Sequence, residues 1–294
     1  MELLDGRKIK LELLKELKEK IQKLDEKPTL AVVQVGNDEA SNVYVRQKEK
    51  MGEEIGINIR HINLEESVNE NVLLGVIEGL NKNDDITGII LQMPLPKKLN
   101  ARKIQNAIIY HKDVDGLTDY NAGLLMHNRE TAFIPCTVNA VIDILNYYDI
   151  DYEGKNVVIV GRSDLVGKPL ANLLTNKNAT VTLCHSKTIN LRKYTQRADV
   201  LITATGKPYL IKAEDIKEGV IIIDVGINKI NGKIVGDVDF ESVKDKVSCI
   251  TPVPGGIGQL TVANLVKNTY KAYKLQKYIK RYWNNSCNSI KNIV

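Results

Sequence analysis

The chain has 294 residues, 43% apolar and 26% charged, which is enough for two domains and excludes a disordered or fibrous protein. Its 20 glycines, against two phenylalanines and one tryptophan, point to tight turns and an aliphatic core, the composition of parallel sheet covered by helices. The net charge of +5 belongs to the end of the chain. Seven Lys or Arg residues and no acid occur from Lys267 onward, and the rest holds 34 basic against 36 acidic side chains, which argues against a basic nucleic-acid face.

From the N-terminus, apolar side chains at Ile9, Leu13, Leu17, Ile21 and Leu24 predict an amphipathic helix over 7–24, with Pro28 beyond it. TLAVVQVG (29–36) reads as a buried strand, 40–55 as a helix stopped by Gly56, 57–64 as a strand, 69–81 as a helix and GIILQ (88–92) as a strand. Strand alternating with helix implies parallel pairing through right-handed crossovers. A connecting helix over 139–148 leads into a second α/β series, with strands at 156–160, 180–184, 200–203 and 220–225 and helices near 169–175 and 191–197. The loop TPVPGGIG (251–258) precedes a last helix, and the polar end, 284–294, reads as frayed.

The cysteines, Cys136, Cys184, Cys249 and Cys287, form no C-x-x-C pair, so neither a disulfide framework nor a metal site is expected. No apolar run approaches the roughly 20 residues that span a bilayer, and the N-terminus lacks a signal-peptide core. A cytoplasmic protein without a membrane partner is the expectation.

Strand 156–160 runs directly into Gly161-Arg162-Ser163-Asp164-Leu165-Val166-Gly167-Lys168-Pro169, and a helix follows. Such a strand–turn–helix aims backbone N–H groups and a helix N-terminus at a pyrophosphate, although the spacing departs from G-x-G-x-x-G. The ordinary alternative is a plain βα turn. An NAD site would carry an acid at the end of the next strand, but here that strand ends Cys184-His185-Ser186-Lys187. Arg162, with Ser186 and Lys187, fits a 2′-phosphate and hence NADP; otherwise these are solvated charges.

Tyr44 and Lys48 are four apart on the second helix, and Met51 and Ile55 continue their face. A lysine on an apolar stripe either snorkels to water or sits in a cleft, where desolvation lowers its pKa and suits it to proton transfer. Gln92 ends a buried strand at its C-terminal edge, where α/β proteins place ligand contacts; a structural amide is the alternative. KDVDG (112–116) sets two carboxylates two apart, which alone reads as a polar turn of solvated acids.

Taken together, VGNDEASNVYVRQKEK (35–50), GIILQMPLP (88–96), KDVDGLTDYNAG (112–123), IPCT (134–137), VIVGRSDLVGKP (158–169), CHSKT (184–188), TATGKP (203–208), IIDVGIN (222–228) and TPVPGGIG (251–258) carry a resemblance. The chain resembles the bifunctional methylenetetrahydrofolate dehydrogenase/methenyltetrahydrofolate cyclohydrolase (FolD) family from about Leu3 to Lys271. The resemblance implies two α/β domains flanking a cleft, the second a Rossmann-like dinucleotide-binding domain. Residues 1–138, completed by helix 259–283, would bind folate, and 139–258 would bind NADP. It also implies a homodimer in one-carbon supply to purine biosynthesis, with tetrahydrofolate derivatives as partners and no nucleic acid.

By the same resemblance, Tyr44 stacks on folate, Lys48 is the catalytic lysine, Gln92 adjusts it and Asp115 binds the pterin. Pro254, Gly255 and Gly256 lie near the substrate, while Gly161, Arg162, Ser163, Gly167, Ser186 and Ile227 line the NADP site. The sequence departs from the family pattern at Asp119, Val138, Asp164 and Gln259; of these, Asp164 sets a negative charge near a phosphate site. Two other readings compete. One is a monofunctional NAD-dependent dehydrogenase, in which Lys48 only positions ligand. The other is a nucleotide- or RNA-binding protein that uses the basic tail.

Overall fold

A two-residue strand, β1 (Glu2–Leu3), and a helix, α1 (Gly6–Ile21), open the computed structural model, which describes residues 1–291 except the side chains of Ala40, Tyr44 and residues 283–291. There follow β2 (Thr29–Val35), α2 (Glu39–Ile55), β3 (Asn58–Leu64), α3 (Glu70–Lys82) and β4 (Gly88–Leu91). The three longer strands pair in the order β3-β2-β4, all parallel. Leu30 to Val35 are buried without alternation, as a central strand covered on both faces requires. Asp38 caps α2 by accepting from the Ser41 N–H at 2.8 Å, and Gly56 ends it at φ 94, a left-handed conformation that glycine adopts without penalty. Leu73, Ile77 and Leu80 of α3 pack with Ala31, Val33, Ile89 and Leu91 in one cluster, each such side chain contributing roughly 1.5–3 kcal/mol of burial.

Short helices α4 (Ala101–Asn106) and α5 (Asp119–Met126) precede α6 (Cys136–Tyr147). Asp119 is held in the first turn of α5 by Asn106, whose side-chain amide donates to it at 3.0 Å, and Val138 is buried within α6.

The second series comprises β5 (Asn156–Val160), α7 (Gly167–Asn176), β6 (Thr180–Cys184), α8 (Arg192–Thr195), β7 (Val200–Thr203) and β8 (Ile221–Asp224). A hairpin of β9 (Asn228–Ile230) and β10 (Lys233–Val235) comes next, then α9 (Phe240–Val243), β11 (Cys249–Ile250) and the long α10 (Thr261–Lys291). The six-stranded sheet runs β1-β11-β8-β7-β5-β6, with every pair parallel. Because β6 lies on one side of β5 and β7 on the other, the order reverses at the C-terminal end of β5, where sheets of this type bind ligands. Val158, Val160, Leu201, Ile222 and Ile250 form the apolar layer on one face.

The chain divides into two units. The larger-sheet unit takes Met1–Leu13, Ala122–Glu130 and Ile134–Asn264; the smaller-sheet unit takes Leu14–Asn121, Thr131–Phe133 and the chain from Leu265 onward. Residues 1–13 fall in the former because β1 pairs with β11, Leu3 standing opposite Ile250. The backbone of α10 continues to Lys291, over most of the stretch expected to fray, since no Gly or Pro after Thr261 stops it.

Candidate active site

In the smaller-sheet unit, Val45, Met51 and Ile55 are buried along one face of α2, and Lys48 is half-buried between them. Its ammonium donates to Gln92 Oε1 at 2.6 Å. Gln92 stands one residue past β4, where its backbone N–H extends the ladder to the Val33 carbonyl at 2.8 Å. Its side-chain Nε2 donates to the Met93 carbonyl at 2.9 Å, which turns the amide oxygen toward Lys48. Strand ladder and helix face thus bring together two residues 44 positions apart. Tyr44 occupies the preceding turn of α2, but its side chain lies outside the described residues.

The two acids of KDVDG have different environments. Asp113 is fully buried and accepts from Thr118 N–H at 2.9 Å and Asn121 Nδ2 at 2.8 Å, so it is not the solvated turn acid the bare sequence suggests. Asp115, two residues on, is half-buried.

In the larger-sheet unit, Gly161 follows β5 at φ 126, and a Cβ there would come within 2.2 Å of the Ala204 carbonyl oxygen. At Gly167 a Cβ would meet the Gly161 carbonyl oxygen at 1.9 Å. Both glycines are therefore required by the close packing of the turn. The Ser163 hydroxyl accepts from Val166 N–H at 3.2 Å, while the first turn of α7 has no side-chain cap. In this turn the Lys168 N–H donates to the Ser163 carbonyl at 3.1 Å and Pro169 has no N–H, so it is the Gly167 N–H that is placed to meet an anion. Arg162 and Ser186 are exposed at the ends of the paired strands β5 and β6, and Ile227 is 61% exposed just beyond β8. Asp164, a doubtful neighbour for a phosphate, is paired with Lys168 at 2.6 Å. A glycine turn without room for Cβ, an uncapped helix, an exposed arginine and no acid after β6 fit NADP.

Sequence reasoning missed two buried carboxylates near the ends of β7 and β8. Asp224 accepts from Gly226 N–H at 2.9 Å, Asp237 N–H at 3.1 Å, Val238 N–H at 2.9 Å and the Thr203 hydroxyl at 3.0 Å. Burial pushes its carboxyl up to about 6, the charge of Asp237 adding to the effect. Asp237 in turn accepts from Thr205 N–H at 2.6 Å and Asn228 Nδ2 at 3.0 Å. They tie the loop after β7 to the one carrying Ile227. No short motif marks either residue; the signal is the glycine beside each, since a Cβ at Gly226 would strike Asp237 and one at Gly236 would strike Asp224.

Pro254 is exposed, and Gly255 and Gly256 are buried beside the start of the chain. The Gly6 N–H donates to the Gly255 carbonyl at 3.0 Å, and a Cβ on Gly6 would lie 2.3 Å from the Gly256 oxygen. The tail is docked in the smaller-sheet unit. Gln276 Nε2 donates to the Thr87 carbonyl at 2.7 Å, while Lys277 and Lys280 pair with Glu26 and Asp84. Among the described residues, no group of three or more His, Cys, Asp or Glu side chains is placed to hold a metal, and no helix is long and apolar enough to cross a membrane.

Two family models match the chain: tetrahydrofolate dehydrogenase/cyclohydrolase, catalytic domain, over residues 4–115, and the NAD(P)-binding domain of the same family over residues 135–277. Among relatives, the bifunctional protein FolD of Campylobacter hominis is 48% identical, over 93% of this chain and 98% of that protein. The crystal structure of the bifunctional FolD from Campylobacter jejuni superposes with a TM-score of 0.92 at 46% identity, covering 94% of this chain and 99% of that one. The FolD of Trypanosoma brucei, solved with NADP cofactor and inhibitor, gives a TM-score of 0.87 at 34% identity, over 93% and 97% of the two chains.

Proposed function

Because the chain belongs to the tetrahydrofolate dehydrogenase/cyclohydrolase family, we propose that Lys48 moves the protons in the second of its two reactions, with Gln92 orienting the ammonium and Asp115 holding the pterin. The enzyme oxidises 5,10-methylenetetrahydrofolate to the 5,10-methenyl form with NADP, and hydrolyses that cation to 10-formyltetrahydrofolate. The observation that carries the assignment is the 2.6 Å hydrogen bond from a half-buried lysine to an amide oxygen fixed at a strand end.

The two steps ask different things of the protein. NADP, when bound, accepts the hydride from the carbon bridging the two folate nitrogens. Their lone pairs stabilise the cation left behind, so the chain supplies alignment rather than a strong base. Gly161 and Gly167 would let backbone N–H groups approach the pyrophosphate, Arg162 and Ser186 would hold the 2′-phosphate, and Ile227 and Ser163 would complete the wall.

Hydrolysis needs proton traffic. Water adds to the methenyl carbon and loses one proton, which is released overall; as the ring C–N bond breaks, the adduct's hydroxyl loses the other and the departing nitrogen gains it. Lys48 serves both transfers from one position, and Gln92, a neutral amide, helps to orient its nitrogen. Asp115 would accept two parallel N–H bonds from the pterin amide and amino groups. The paired lysines of α10 support a structural tail rather than a nucleic-acid surface, and the resemblance supports a cytoplasmic homodimer. Assay of the purified protein with methylenetetrahydrofolate and either NADP or NAD tests the cofactor assignment: faster turnover with NADP upholds it, and faster turnover with NAD overturns it.

A further inference from the structure

Lys112 is an unusual lysine. It is only 3% exposed, and its ammonium donates to three carbonyls, those of Leu80 at 3.0 Å, Asn81 at 2.8 Å and Asn83 at 2.7 Å. These lie at the C-terminal end of α3, where carbonyls lack helical partners and the dipole favours a cation. All three N–H bonds of the ammonium are engaged. Burial lowers its pKa, the nearby Asp84 charge working against this; among the described residues no carboxylate is hydrogen-bonded to it, and the carbonyls hold the ammonium in place.

The backbone around Lys112 is anchored as firmly. Its carbonyl accepts from Ile89 N–H at 2.7 Å, and the preceding carbonyl, of His111, accepts from Gln276 at 3.1 Å. Asp113 is fully buried, and Val114 packs so closely on β4 that a Cβ at Gly88 would lie 2.7 Å from its methyl carbon. The Val114 carbonyl accepts from Asn268 Nδ2 at 2.8 Å. Gly116, at φ 70, donates to the Asp113 carbonyl at 3.1 Å and closes the turn. Three successive side chains therefore point inward, and the fourth, Asp115, is the half-exposed one.

We propose that Lys112 is a positioning residue for the folate substrate: its buried ammonium, set on the end of α3, fixes the loop that presents Asp115 to the pterin. The inference rests on the reading of Asp115 given above. A lysine that merely capped α3 would contribute to stability alone; this one lies three residues from the recognition carboxylate, on a loop fixed at each neighbouring position. Without the ammonium, the carbonyls of Leu80 and Asn83 keep only the N–H groups of Asn83 and Ile86, the Asn81 carbonyl loses the lysine, and the loop at residue 112 loses its side-chain tie to α3, leaving the Asn81 bonds to Ala107 and Ile109 further back.

The test is a double-mutant cycle on the full enzyme, with KM for methylenetetrahydrofolate, KM for NADP and the thermal midpoint measured for Lys112→Met, Asp115→Ala and the pair. Lys112→Met raises the folate KM about tenfold and leaves the NADP KM within about twofold, and it adds less than about twofold once Asp115 is already alanine. Asn268→Ala, which removes the amide on the Val114 carbonyl, shifts the folate KM in the same direction by about threefold, and serves if Lys112→Met does not fold. An unaltered folate KM in Lys112→Met or in that substitute, or effects that multiply in the pair, overturns the inference while leaving Asp115 its role. An unaltered folate KM in Asp115→Ala overturns the reading of Asp115, and this inference with it.

Discussion

Lys48 Nζ lies 2.6 Å from Gln92 Oε1, and the same amide is turned by its own Nε2 bond to the Met93 carbonyl at 2.9 Å. A neutral acceptor holds the ammonium in place while leaving its proton transferable. Gln92→Glu would put a carboxylate at that distance, stabilise the charged lysine and slow proton release. Methenyltetrahydrofolate hydrolysis near pH 7 is expected to fall by about tenfold or more, since each pKa unit is a factor of ten in the deprotonated fraction. Dehydrogenase turnover, which needs no base, should fall by less; equal losses in the two activities would contradict the division of labour.

Arg162 is exposed at the glycine turn, and Asp164 beside it is paired with Lys168. Arg162→Ala should narrow the preference for NADP over NAD by roughly tenfold or more, the worth of a charged hydrogen bond to phosphate. Asp164→Asn should change the NADP KM by less than about threefold, because an exposed ion pair contributes little. Ratios of kcat/KM for the two cofactors check both. An unchanged ratio in Arg162→Ala would mean that another group holds the 2′-phosphate.

Asp224 makes stability depend on pH in an uncommon direction. Its carboxyl titrates near 3.8 in the unfolded chain and about 6 in the fold, so between these values the native state holds a proton that the unfolded state has released. Its contribution is fully present below the lower value, declines as pH rises, and is lost above the upper one, a change on the order of 3 kcal/mol. Asp224→Asn cannot titrate. The stability of the wild type relative to this variant, from urea unfolding, should therefore fall between about pH 4 and pH 7; parallel curves would contradict the assignment.

Elements with a strong period or clear punctuation were legible from the residues. Strands 156–160 and 180–184 match β5 and β6 to the residue, and Asp38, Asn69 and Gly56 mark helix ends by cap chemistry. Strands β1 and β11, two residues each, are too short to show a period and exist through pairing with distant chain. The hairpin of β9 and β10 has its signal in the Asn231-Gly232 pair, both at positive φ as a tight two-residue turn demands. At the site, Lys48 and Gln92 could be singled out by their positions on apolar elements. The burial of Lys112, Asp113, Asp224 and Asp237 could not, because charged residues in a glycine-bearing stretch look alike whether the loop faces water or is held inward by carbonyls and N–H groups remote in sequence.

The most direct measurement is the decay of methenyltetrahydrofolate in the absence of any nicotinamide cofactor, catalysed by wild type and by Lys48→Met. Loss of hydrolysis to the uncatalysed rate, with the folate KM of the dehydrogenase step within about threefold of wild type, is the expected result. A Lys48→Met enzyme that hydrolyses the cation within about twofold of the wild-type rate would contradict the role given to this lysine.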